Sequence, residues 1–191
     1  RRVLFRSGAA ILSCLSTLLL SEDPSIWPSD SDGIVMVRFY FDDSIPKEDI
    51  KRSLFLQAVE IFKQQTCIEW IETEPANKPG EMVKLFDAGG HCSSDVGRLT
   101  NVMNTIELGP SCKTIKTILH EMAHTLGMIH THKRLDRDKY VTLLENNLIP
   151  GYEEEFYIEN YDTHGVPYDY FSVMHYGHST LGEKGKFTLL P

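Results

Sequence analysis

The sequence predicts an α+β domain, and three observations carry that expectation. Residues 34–41 alternate in polarity and are rich in β-formers, the pattern of a strand. An amphipathic helical pattern follows, then three more strand-like segments, and only then a histidine-bearing helix. Beyond that helix the chain is turn-rich and loses periodicity, so regular and irregular structure are segregated along it.

In chain order, the strand at 34–41 gives way to Ser44 and Pro46, which read as a helix cap and first turn. Ile50, Leu54, Val59 and Phe62 then mark an apolar helical face that ends near Gln65 and is expected to back a sheet. Strands are expected at 67–72, 82–86 and 101–108, separated by turn clusters at 75–80 and 88–94. The second helix should begin near Lys113 or Thr114. The acidic run Glu153, Glu154 and Glu155 reads as a solvated helix face rather than a calcium site. No internal repeat or low-complexity run is present.

At 191 residues with 41% apolar content, the chain is long enough for one domain with a core. The formal charge is -8, and the densest basic stretch, 133–139, is interrupted by Asp136 and Asp138. Nucleic acid is therefore not expected as a partner.

The chemistry is concentrated between His120 and His130, in a run that reads His-Glu-Met-Ala-His-Thr-Leu-Gly-Met-Ile-His. A helix advances about 100° and 1.5 Å per residue, which puts His120 and His124 on one face about 6 Å apart, able to share one metal ion. If the helix continued, His130 would point roughly 240° away and sit about 9 Å further along the axis, so the chain has to turn back. Gly127 lies where that turn is needed, and glycine takes the left-handed conformation that ends a helix without steric penalty. Three neutral imidazoles leave a fourth zinc position for water, the arrangement of a catalytic rather than a structural site. Zinc brings the pKa of water to about 7, and Glu121 stands ready to take its proton. His91, His132, His164, His175 and His178 complete no ligand set and read as surface or hydrogen-bonding residues.

The run from His120 to His130, followed by a methionine turn, is the metzincin signature. Downstream come Arg134-Leu-Asp136-Arg137-Asp138 and then Pro167-Tyr-Asp-Tyr-Phe-Ser172-Val-Met174-His-Tyr176-Gly177. With Thr66-Cys67-Ile68 and Cys92-Ser-Ser-Asp-Val-Gly97-Arg98, these residues make the chain resemble the astacin family of zinc endopeptidases, from about Trp27 to the end. The resemblance implies a metzincin-type fold: a twisted, mainly parallel sheet with an antiparallel edge strand, a backing helix, a zinc-site helix and an irregular C-terminal subdomain. It implies that His120, His124 and His130 hold Zn2+, that Met174 forms the turn beneath the metal, and that Glu121 and Tyr176 are catalytic. Tyr176 would ligate zinc at rest and swing away to hydrogen-bond the tetrahedral intermediate. A phenol can do both, although an aromatic beside a methionine is more commonly core packing. A polypeptide substrate would lie extended along an edge strand between Cys92 and Arg98. Tyr176 and the 134–138 stretch argue against a matrix metalloprotease or an adamalysin. A zinc-binding domain without turnover is the rival from another class.

Two departures from the family pattern stand out. The glutamate that usually follows the third histidine, and receives the ammonium of the mature amino terminus, is Thr131 here, which cannot form that ion pair. Ser93 stands where an aromatic is common.

The resemblance also pairs Cys92 with Cys112, closing a loop of about twenty residues worth on the order of 3 kcal/mol. It pairs Cys67 with a cysteine near the carboxyl end of the domain. No cysteine follows position 112, so Cys67 is expected to lack that partner and Cys14 has none that can be named. Residues 1–24 read either as a signal-like leader or as a mature amino-terminal arm, with Ala9-Ala10-Ile11-Leu12 resembling a mature start. Residues 25–191 read as a peptidase domain incomplete at its C-terminus. Both readings of the leader, and the disulfides, imply a secreted, extracellular protein.

Overall fold

The computed structural model describes residues 25–191, so the expected leader or arm at 1–24 lies outside the described residues. The described chain forms two compact units, one ending at Met128 and the other beginning at Ile129.

The first unit holds the sheet and both helices. Strand β1 (Val35–Phe41) is followed by helix α1 (Ile50–Gln65), then by four successive strands, β2 (Ile68–Glu72), β3 (Met82–Phe86), β4 (Cys92–Ser94) and β5 (Asn104–Leu108), and then by helix α2 (Ile115–Thr125). Their order in the sheet is β2-β1-β3-β5-β4. The β1–β2, β1–β3 and β3–β5 pairs are parallel, with Val35 opposite Ile68, Arg38 opposite Met82 and Val83 opposite Asn104. Only β4 runs antiparallel, on the edge beside β5, with Cys92 opposite Leu108. This is the α+β, mainly parallel arrangement expected, with an antiparallel edge strand.

Alternation places Val35, Val37, Phe39 and Phe41 of β1 in the core. Helix α1 answers with Phe55, Ala58 and Phe62, all essentially without solvent exposure. Phe55 lies between Phe39, at 4.9 Å between ring centroids, and Trp70 of β2, at 5.7 Å and nearly edge-on. Such tilted and edge-on pairs suit the ring quadrupoles and add to area burial. The helix face differs from the sequence expectation. Ile50 is exposed and Leu54 and Val59 only flank the buried stripe. The cap is also different: Asp49 accepts the Lys51 N–H at 2.8 Å and starts the helix. The Ser44 hydroxyl accepts instead from the Asp87 N–H, 43 residues on. Lys51, buried beside the same loop, pairs with Asp87 and Asp49.

The edge strand is shorter than the expected 92–98. Gly97 has φ +72°, and its N–H turns away from the sheet to the His124 carbonyl at 2.9 Å. The strand expected from 101 begins only at Asn104, whose buried amide bonds Gly97 and Leu99. Cys92 and Cys112 form the expected disulfide, with Cα atoms 5.4 Å apart. Cys67, expected to lack a partner, is disulfide-bonded.

The second unit is the irregular region the sequence anticipated. It consists of 3-10 turns at Thr131–Lys133, Arg137–Lys139, Glu145–Asn147 and Glu153–Phe156, and a small ladder of β6 (Thr142–Leu143) against β7 (Leu189–Leu190). Its core is Val141, Leu148, Phe156 and Leu189. With so little regular backbone pairing, carbonyls are satisfied by buried arginines. Arg134 donates to the Val166 carbonyl at 2.9 Å and forks onto Asp136 at 2.8 and 2.9 Å. Arg137 donates to the carbonyls of His132 and Phe156. The basic stretch is therefore largely internal scaffolding. Among the described residues no helix is long and apolar enough to cross a membrane.

Phe55→Ala should destabilise the protein by about 3–5 kcal/mol, because a rigid aromatic layer cannot collapse into the space left. Denaturant unfolding measures this, and a loss under about 1 kcal/mol would show that the aromatic layer does not hold α1 to the sheet.

Candidate metal centre

Helix α2 begins with a reciprocal cap. Thr114 Oγ1 accepts the Thr117 N–H at 3.1 Å, and Thr117 Oγ1 accepts the Thr114 N–H at 3.3 Å. Ile118, Leu119, Met122 and Ala123 bury one face, which packs on β4, β5 and α1. Three interactions fix its far end. Trp27 Nε1 donates to the Thr125 carbonyl at 2.8 Å, and the Ser94 and Thr125 hydroxyls meet at 2.7 Å. The third is the turn that the histidine spacing requires. Gly127 has φ +97°, its N–H bonds the His124 carbonyl at 2.8 Å, and the Met128 N–H bonds the Ala123 carbonyl at 3.0 Å. Those paired bonds are a Schellman stop, which satisfies the last carbonyls of the helix and reverses the chain.

The consequence is convergence. The ligand-capable atoms of His120, His124 and His130 all lie within 4.8 Å of one another. The Nε2 atoms of His120 and His124 are 3.1 Å apart. His124 Nδ1 is 2.8 Å from the Met128 carbonyl. A carbonyl can only accept, so Nδ1 carries the proton and Nε2 keeps its lone pair, the form that ligates metal. Burial first, and the neighbouring His120 second, push the His124 pKa down to about 4, which keeps that imidazole neutral. The donor set therefore fits a zinc ion: three imidazoles converge, and the tautomer of His124 is fixed from behind.

Glu121, between the two helical histidines, is 5% exposed. Burial raises its pKa to about 7.

The second unit positions the other predicted residues. Met174 is fully buried, and its carbonyl accepts the N–H of Thr131, directly after His130, at 2.9 Å. The Tyr176 ring lies 4.5 Å from that of His130 and its hydroxyl donates to Glu155 at 3.4 Å. Burial, reinforced by Glu155, raises its pKa to about 12, so the phenol keeps its proton. The Thr131 hydroxyl is buried without a hydrogen-bond partner.

Two residues here escaped the sequence reading. His132, expected to be a surface or hydrogen-bonding residue, does hydrogen-bond but is wholly buried, stacked 4.0 Å from the Tyr176 ring and 5.4 Å from that of His130. Its Nε2 donates to the Glu155 carbonyl at 3.0 Å, and burial pushes its pKa down to about 4. Glu155, read as part of a solvated helix face, sits on a 3-10 turn, half-buried against Tyr176. Phe156 next to it is a core residue, the one sequence signal that this turn faces inward.

His124→Ala should abolish tight binding of one zinc per chain, which metal analysis of the purified protein reads directly; full occupancy would remove the ligand assignment. In metal-free protein, Glu121→Gln should be the more stable form at neutral pH. A carboxyl whose folded pKa is raised loses stability as pH climbs from its unfolded value, about 4.5, through about 7. The amide has no such loss, and the gain above pH 7 should be roughly 3 kcal/mol. Equal stability of the two across pH 5 to 8 would show that Glu121 is not held in a desolvated site.

Comparison with known proteins agrees with this geometry. Residues 22–191 match the family model described as Astacin, a peptidase family. The chain is 34% identical to an astacin-like metalloendopeptidase of Mus musculus over 91% of this chain and 39% of that protein. It is 31% identical to the low choriolytic enzyme of Oryzias latipes over 90% of this chain and 61% of the relative. The chain thus spans less than two thirds of the length of either relative. Among solved structures it resembles high choriolytic enzyme 1 of Oryzias latipes, a hatching enzyme zinc-protease. That match has a TM-score of 0.80 at 25% identity, covering 90% of this chain and 83% of the other. A three-histidine run closed by a glycine turn, on a mainly parallel sheet with an antiparallel edge, together with the family match over residues 22–191, makes this chain a member of the astacin family.

Proposed function

We propose that this chain is the catalytic part of a secreted, zinc-dependent endopeptidase that hydrolyses peptide bonds of extracellular polypeptides, with Glu121 as general base. The observation that carries this reading is the convergence of three histidine ligand atoms within 4.8 Å next to a buried carboxyl of raised pKa. His120, His124 and His130 would hold the ion, with the Tyr176 phenol as a further ligand at rest. Zinc bound there supplies Lewis-acid polarisation of the scissile carbonyl and lowers the pKa of water to about 7.

The remaining chemistry belongs to the chain. Glu121 accepts the proton of the attacking water and returns it to the leaving amine. Tyr176, protonated at working pH, donates its hydroxyl hydrogen to the oxyanion that develops from the carbonyl. The outer edge of β4, the last strand of the sheet, offers unpaired backbone groups to an extended peptide. Its tie to α2 through Ser94–Thr125 and Gly97–His124 fixes that edge relative to the base. The disulfides at Cys92–Cys112 and Cys67 support an oxidising, extracellular setting. The domain reading is the same: residues 25–191 are the peptidase part.

Glu121→Gln should retain zinc while losing about 10²- to 10⁴-fold in hydrolysis of a generic protein substrate, the usual range for a general base. Retention of a tenth of the activity would mean that another base acts. Tyr176→Phe should lower kcat by about 10²-fold with little change in KM, near the cost of losing one oxyanion donor. Phenylalanine preserves the ring packing, so near-normal kcat would reduce Tyr176 to a packed aromatic.

A further inference from the structure

The hydroxyl of Tyr176 has one proton to give, and in this structure it gives it to Glu155 at 3.4 Å. While it does so it cannot donate to an oxyanion. Glu155 grips the tyrosine in a second way. Its backbone carbonyl accepts from His132 Nε2 at 3.0 Å, and that imidazole lies flat on the Tyr176 ring, 4.0 Å away and tilted by 23°. Phe156 packs against both rings, nearly edge-on to Tyr176 at 5.7 Å and 5.4 Å from His132. One residue thus holds the phenol oxygen with its side chain and the phenol ring through His132, while the ring stays 4.5 Å from His130.

We propose that Glu155 is a positioning residue whose carboxylate receives the Tyr176 hydroxyl once substrate has displaced the phenol from the metal and until the oxyanion develops, so that it stabilises the enzyme–substrate complex. This rests on the role given to Tyr176 above. Three states of the phenol follow: on the metal at rest, on Glu155 once substrate has entered, and on the oxyanion in the transition state. Glu155 stabilises only the middle one, the enzyme–substrate complex.

Removing an interaction made only in that complex raises kcat and KM together and leaves kcat/KM unchanged. Glu155→Met keeps the side-chain length and removes the acceptor, and should raise both constants several-fold. Glu155→Gln, which retains a neutral acceptor, should fall between. In a Tyr176→Phe background, Glu155→Met should change neither constant. An independent reading comes from copper-substituted protein, in which a phenol on the metal gives a charge-transfer absorption. Titration with a product peptide displaces the phenol and bleaches that band, and Glu155→Met should require several-fold more peptide.

A copper band that titrates identically in wild type and Glu155→Met overturns the proposal, as does a Glu155→Met effect that persists in the Tyr176→Phe background. Both leave the role of Tyr176 intact. Absence of the band from wild-type copper protein would instead remove the Tyr176 ligand role, and this proposal with it. Circular dichroism and thermal unfolding of each variant identify one that fails to fold, in which case the comparison between wild type and Glu155→Gln decides.

Discussion

The carbonyl of His124 accepts N–H groups from Gly127 at 2.8 Å and from Gly97 at 2.9 Å, and the site is built around that point. The first bond stops the zinc-site helix and sends the chain back toward its own histidine face. The second pins the end of the edge strand to the same turn. Both donors are glycines with positive φ. A Cβ on Gly97 would meet the Ser25 carbonyl at 2.9 Å and the Gly127 Cα at 3.8 Å, so the two loops approach where side chains would intrude. One backbone acceptor thereby couples ligand convergence to the placement of the strand expected to receive substrate.

Around that point the fold accepts local costs. Glu121 is buried with its pKa raised, His124 is held neutral, and the Thr131 hydroxyl is buried without a partner among the described residues. Each is unfavourable on its own. The aromatic layer of Phe39, Phe55, Phe62 and Trp70 and the close packing of α2 supply the offsetting stability away from the chemistry. Functional sites commonly break local rules that the rest of a domain satisfies.

What the sequence disclosed depended on the range of the interaction. The three histidines, Glu121 and the glycine stop lie within eleven consecutive residues governed by helix geometry and one turn, so the convergence of the histidines was legible locally. The strands of the sheet were legible because alternation is local too. The start of α1 was not: Ser44 looks like a cap, but tertiary structure gives its hydroxyl to Asp87, and Asp49 caps instead. The edge strand was overextended because nothing local says that the Gly97 N–H will leave the sheet for a helix carbonyl 27 residues on. His132 and Glu155 were misread for the same reason. They meet across 23 residues of irregular chain, where no periodicity marks an inward face.

The central claim is that one zinc ion is held by three imidazoles, with Glu121 left free as the base. X-ray absorption at the zinc edge of the metal-loaded protein tests it most directly. The account predicts three imidazole nitrogens at about 2.0–2.1 Å, with the remaining scattering from oxygen, and the same spectrum in Glu121→Gln. Sulfur scattering at about 2.3 Å, or a change in the first shell on removing the Glu121 carboxylate, would contradict it.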